Sequence, residues 1–84
     1  MRLAALVRTE GEALPVRLVD LSLGGARGEA HRPPAAGTRV TLARERMEVA
    51  ARVVWARGGR FGLVFETPIR ATELFYQLGR SRET

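Results

Sequence analysis

Apolar and polar residues alternate with a two-residue period over most of this 84-residue chain, and a helical spacing shows only near its end. Alternation marks a strand with one buried face, because successive side chains of an extended backbone point to opposite sides. Over Met1 to Arg8, the shared parity of Leu3, Ala5 and Val7 predicts a first strand, and the polar Thr9-Glu10-Gly11-Glu12 predicts a hairpin loop after it. Pro15 opens the second segment, since a proline suits the first residue of a strand, where no ladder donor is missed. Val16, Leu18 and Asp20 then share one side, and Arg17, Val19 and Leu21 the other.

Ala26 to Ala30 forms a weaker third strand with small residues inward, and Thr38 to Ala43 a fourth, with Val40 and Leu42 on one face. The longest clean alternation is the fifth, where Met47, Val49, Ala51, Val53 and Trp55 keep one parity and so point to the core. Phe61, Leu63 and Phe65 return after Arg57-Gly58-Gly59-Arg60, a glycine pair suited to a tight hairpin with positive φ. Gly62 falls opposite Trp55, and its missing side chain leaves room for the indole.

The breaks complete the plan. His31 to Gly37, with Pro33 and Pro34, is the longest loop, and Arg44-Glu45-Arg46 is a charged turn. Thr67-Pro68 reads as a helix start, with a hydroxyl at the N-cap and proline in the first helical position. Leu74, Phe75 and Leu78 supply an apolar stripe, Gly79 a C-terminal cap, and Arg80 to Thr84 a frayed end. Six short strands and one short C-terminal helix predict an all-β fold whose antiparallel neighbours close into a small barrel or a folded sheet, since closure removes exposed sheet edges. No repeat or linker divides the chain, so residues 1–84 are read as a single domain.

Composition narrows the chemistry. With no cysteine, neither disulfides nor thiolate metal sites can staple the fold. The apolar run from Leu3 to Val7 is too short to span a membrane, so a cytoplasmic domain without membrane insertion is expected. The net charge of +5 invites a nucleic-acid reading. Yet all 14 basic residues are arginines, spread from Arg2 to Arg82 without a run of three. That favours dispersed surface charge over a phosphate-tracking face.

Catalysis has few materials. His31 is the only histidine and has no thiolate or second imidazole beside it, and with no lysine a serine–lysine dyad is excluded. Asp20 is the only aspartate, and no phosphate-binding loop or dinucleotide fingerprint occurs. No enzyme, catalytic residue, metal site or resident cofactor is expected. Binding is better served by Asp20-Leu21-Ser22-Leu23-Gly24-Gly25, the break between the second and third strands. Asp20 offers two acceptors matching the paired donors on a guanine edge, Ser22 a hydroxyl, and Gly25 close approach to the backbone. The same residues equally suit a structural turn, with aspartate and serine closing the loop on nearby amides.

Val19-Asp20-Leu21-Ser22-Leu23-Gly24-Gly25-Ala26 resembles the (D/N)xSxxG signature of the PilZ family, with Asp20, Ser22 and Gly25 in its three fixed positions. Val54-Trp55 followed by Phe61-Gly62-Leu63-Val64-Phe65 is similar to the family's closing hairpin. The two matches span Pro15 to Glu66 in the family's order and spacing. The resemblance implies a six-stranded barrel with a C-terminal helix and a role as a bacterial receptor or adaptor for cyclic di-GMP, bound against the barrel's outer surface. It also implies an RxxxR motif before the first strand, whose guanidiniums stack on guanine and grip phosphates. Here the chain departs from the pattern: Leu6 follows Arg2 at that spacing and Glu12 follows Arg8. Arg2 stands near the second arginine's position.

Three functions compete at this point. The first is a cyclic di-GMP receptor using Asp20, Ser22, Gly25 and Arg2, its binding weakened or lost without RxxxR. The second is a degenerate family member acting as a protein-interaction module without nucleotide. The third is a small basic barrel that binds RNA or single-stranded DNA, disfavoured because most aromatic rings fall on core parities and Tyr76 is left as the exposed one.

Overall fold

The computed structural model describes the backbone of residues 2–82 and the side chains of residues 2–79. Met1, Glu83 and Thr84, assigned by the sequence to the first strand and the frayed end, lie outside the described residues. The strands are β1 (Leu3–Thr9), β2 (Glu12–Leu21), β3 (Gly25–Glu29), β4 (Arg39–Arg44), β5 (Met47–Arg57) and β6 (Arg60–Phe65), followed by helix α1 (Ala71–Arg82). They close into an antiparallel barrel in the order β1-β2-β3-β6-β5-β4, with β4 returning to pair with β1. The fold class expected from the alternation is the one observed.

Inward parities build the core. Leu3, Val7, Leu18, Leu42, Val53 and Phe61 are almost wholly removed from solvent, and burial of such side chains drives the folding of a chain with no covalent staple. Gly58 and Gly59 both take positive φ in the two-residue β5–β6 turn, where Arg57 pairs with Arg60. The β3–β4 connection is tied to that hairpin and to β5, through Ala30 N–H to Gly59 O at 2.9 Å and Val53 N–H to Thr38 O at 2.9 Å. Pro15 does not begin β2. It lies inside the strand opposite Leu6, but β2 pairs with β3 only from Arg17 onward, so no second neighbour needs its missing donor.

Two interruptions of register change which residues face out. In β2 the pairing shifts between Leu18 and Asp20, leaving Val19 as the extra residue. Leu18 and Leu21 are therefore both buried, and Asp20 is turned outward, against the parity expected from simple alternation. In β5 the shift falls between Val53 and Trp55. Val53 stays buried while Val54 and Trp55 are both exposed, so Trp55 is not a core residue. A β-bulge inserts one residue and reverses the parity of everything beyond it.

The C-terminal segment also departs from its local signals. The helix begins at Ala71 rather than Thr67-Pro68, because Ile69 N–H is committed to Leu23 O at 2.8 Å and Ile69 is packed on the core. That tie holds the chain out of helical geometry until Arg70, whose carbonyl accepts from Leu74 N–H at 3.0 Å. Gly79 does not end the helix, which continues to Arg82. Leu74 meets the core as expected, but Phe75 is 69 % exposed and Gln77, not an apolar residue, is fully buried.

Gln77 makes the helix's polar anchor. It accepts from Arg44 Nη1 at 3.0 Å and donates to the Arg44 carbonyl at 3.3 Å and to Glu73 Oε2 at 2.8 Å. Glu73 also pairs with Arg46 at 3.3 Å. The Arg46 guanidinium covers the ring of Tyr76 at 3.9 Å. Tyr76 is thus half-buried, and Phe75 and Trp55 are the exposed rings.

Candidate functional site

The corner between β2 and β3 is closed from within. Ser22 N–H donates to Gly25 O at 2.9 Å, and the Ser22 hydroxyl reaches the same carbonyl at 3.2 Å. Gly24 O accepts from Phe65 N–H at 2.9 Å and Leu23 O from Ile69 N–H, so the corner ties the end of β6 and the approach to α1 to β2. Gly25 is buried, and a Cβ there would run into the Leu63 carbonyl of β6. Glycine at this position therefore lets β3 and β6 close against each other.

Asp20 is presented by this corner rather than consumed in it. Turned out by the β2 bulge, its carboxylate meets Arg27 of β3, its cross-strand partner, at 3.2 Å, and both side chains are more than half exposed. Farther along the same wall Arg2 pairs with Glu29 at 2.7 Å, and Arg60 Nε stands 3.9 Å from the other Glu29 oxygen. Exposed ion pairs of this kind contribute only about 0–1 kcal/mol each. Their partners can be exchanged for those of a bound molecule at little cost.

Trp55 joins these groups into one face. It is the cross-strand partner of Gly62, and its indole lies where a Gly62 side chain would project, so the space expected for it does exist, but on the outside of the barrel. A hollow of about 340 Å³ is lined by Asp20, Ser22, Gly25, Arg27, Trp55 and Gly62 among others. A neighbouring one of about 390 Å³ is lined by Arg2, Val19, Arg27, Glu29, Trp55 and Arg60. Arg27 and Trp55 border both.

All four residues singled out from sequence thus lie on this wall, with Ser22 and Gly25 engaged in the corner and Arg2 across Arg27 and Trp55 from Asp20. Sequence reasoning missed Arg27, Arg60 and the outward Trp55. Arg27 was within reach, as the outward parity between Ala26 and Gly28. Trp55 was not, because nothing in the β5 alternation marks the bulge. Chemically the face offers carboxylate acceptors, forked guanidinium donors and an indole surface, a set suited to holding a planar, anionic, hydrogen-bonding molecule.

The family model for the PilZ domain matches residues 1–79. The chain belongs to the PilZ domain family, a family of cyclic di-GMP receptor and adaptor domains. Comparison with curated proteins and with solved structures gives no match. No helix among the described residues is long and apolar enough to cross a membrane.

Proposed function

We propose that this domain is a cytoplasmic cyclic di-GMP receptor that binds the nucleotide on the outer wall formed by β2, β3, β6 and the bulged part of β5. The observation that carries the reading is the convergence of Asp20, Arg27, Trp55, Arg60 and Arg2 on one exposed face. Asp20 accepts from the paired donors of a guanine edge. Ser22, whose proton is directed at Gly25 O, keeps acceptor capacity for the same base. Gly25 holds the corner closed beneath them. Arg2, Arg27 and Arg60 meet the phosphates, exchanging weak surface pairs for charge-assisted bonds.

Within residues 1–84 no two arginines at i and i+4 precede Asp20, so a grip made by these residues alone holds the nucleotide less tightly than one that includes RxxxR. Each charged hydrogen bond lost is worth roughly 1.5–3 kcal/mol, or about tenfold or more in affinity. Isothermal titration with cyclic di-GMP is expected to give saturable heat that Asp20→Ala lowers by about tenfold or more. No heat at millimolar nucleotide overturns the reading.

A second reading is a nucleotide-independent adaptor. It is favoured by Ser22 and Gly25 being fully accounted for by the closed corner. It predicts partner binding that cyclic di-GMP leaves unchanged, and a ligand-dependent partner list counts against it.

A further inference from the structure

The wall from β4 to β6 holds a feature that the nucleotide face leaves unexplained. Arg39 of β4 and Arg52 of β5 are direct cross-strand partners, and Val64 of β6 is the next partner in the same row. All three are exposed. Like charges directly opposite on a sheet repel. Neither guanidinium has a carboxylate partner among the described residues, which is also so for Arg17, Arg32, Arg57 and Arg70, but of these six only Arg39 and Arg52 are cross-strand partners of one another. Beside the pair lie Val54 and Val64, about half exposed at 48 % and 50 %, and Trp55 ends the strip. One exposed valine needs no explanation, but an apolar strip bordered by two unpaired cations does.

We infer that this wall docks an acidic protein segment that places carboxylates on Arg39 and Arg52 and an apolar side chain on Val54, Val64 and Trp55. The charge pattern selects the partner. A carboxylate lodged between the two guanidiniums cancels their repulsion and accepts forked bonds from either one. Neighbouring strands stand about 4.8 Å apart, so the row from Arg39 to Val64 covers about 10 Å, a distance that residues a few positions apart in one segment span. Arg52 and Val64 are paired with a neighbouring strand on both sides, which leaves no main-chain edge at their positions, so the segment docks through side chains. Tryptophan and arginine are the side chains that most often anchor such contacts. A nucleic acid fits this wall less well, since valines provide no stacking face and Trp55 is a single ring. The apolar contact falls on Val54, Val64 and Trp55, which also line the hollow beside Asp20, so segment and nucleotide compete for that part of the wall, whereas Arg39 and Arg52 lie outside it.

The test uses a fluorescein-labelled peptide of repeated Glu-Glu-Leu units, titrated by anisotropy into the nucleotide-free chain. Wild type binds the peptide, and Arg39→Gln/Arg52→Gln weakens it by about tenfold, while its melting temperature stays at or above the wild-type value because a repulsive pair is gone. Arg32→Gln/Arg70→Gln, which removes the same charge from the β3–β4 loop and the approach to α1, changes binding by no more than about threefold. Equal losses in the two variants mean general attraction to a basic protein and overturn the inference. So does equal affinity for the Gln-Gln-Leu peptide, tighter binding of a single-stranded oligonucleotide than of the peptide, or no binding by wild type.

Discussion

β1 and β4 keep strict register with their neighbours, and their outward side chains are those that alternation assigns. β2 and β5 each carry one extra residue, Val19 and Val54, and beyond it the outward set changes. In β2 the change brings out Asp20 and returns Leu21 to the core, and in β5 it brings out Trp55. The regular strands contribute no side chain to the candidate nucleotide site. The bulged ones serve the core and also furnish the acid and the aromatic ring of the candidate site. Bulges recur near functional sites for this reason: they re-aim a side chain without disturbing the core residues on either side.

Two glycines of the bulged wall break this comparison in opposite ways. Gly25→Ala sets a methyl group against the Leu63 carbonyl, which cannot move without parting β3 from β6. A loss of about 3 kcal/mol is expected in urea unfolding. Gly62→Ala first meets the indole of Trp55, an exposed side chain that can swing aside. Stability then changes by no more than about 1 kcal/mol, while nucleotide affinity falls because the ring has moved. If both substitutions cost the same stability, the distinction between structural corner and presented face is wrong.

The end of β4 provides a check where no bulge intervenes. Gln77→Ala removes the partner of the Arg44 side chain and carbonyl, and a loss of about 2 kcal/mol is expected with a fall in helical circular dichroism. Nucleotide affinity should not follow. Ser22→Ala deletes one hydroxyl bond but keeps the backbone bond to Gly25 O, so its cost in a thermal melt is about 1 kcal/mol. Asp20→Asn breaks only an exposed pair and should shift stability by less than about 0.5 kcal/mol. Its effect belongs to binding.

Most of the fold was legible because burial in a small barrel imposes the two-residue period directly on the sequence. The Gly58-Gly59 hairpin and the Gly62–Trp55 apposition were readable for local reasons, positive φ and a missing side chain. What stayed hidden depends on how a residue is paired with another element. Val19 and Val54 are extra only relative to β3 and β6, so neither bulge leaves a mark in its own strand. Thr67-Pro68 is a sound local helix start, but the Leu23–Ile69 bond from the far corner overrides it. Gln77 reads as a solvated residue until Arg44 is set beside it. At the site, Asp20, Ser22 and Gly25 could be picked out as a group, yet their division of labour could not. The hydroxyl and the glycine hold the corner, and the carboxylate faces outward.

The candidate face contains the chain's single tryptophan. Titration of cyclic di-GMP while following Trp55 fluorescence therefore tests the nucleotide reading most directly. A saturating change in emission that Asp20→Ala shifts to higher nucleotide concentration is the result expected of an outward ring bordering the same face as Asp20. An emission spectrum unchanged up to millimolar nucleotide would contradict it.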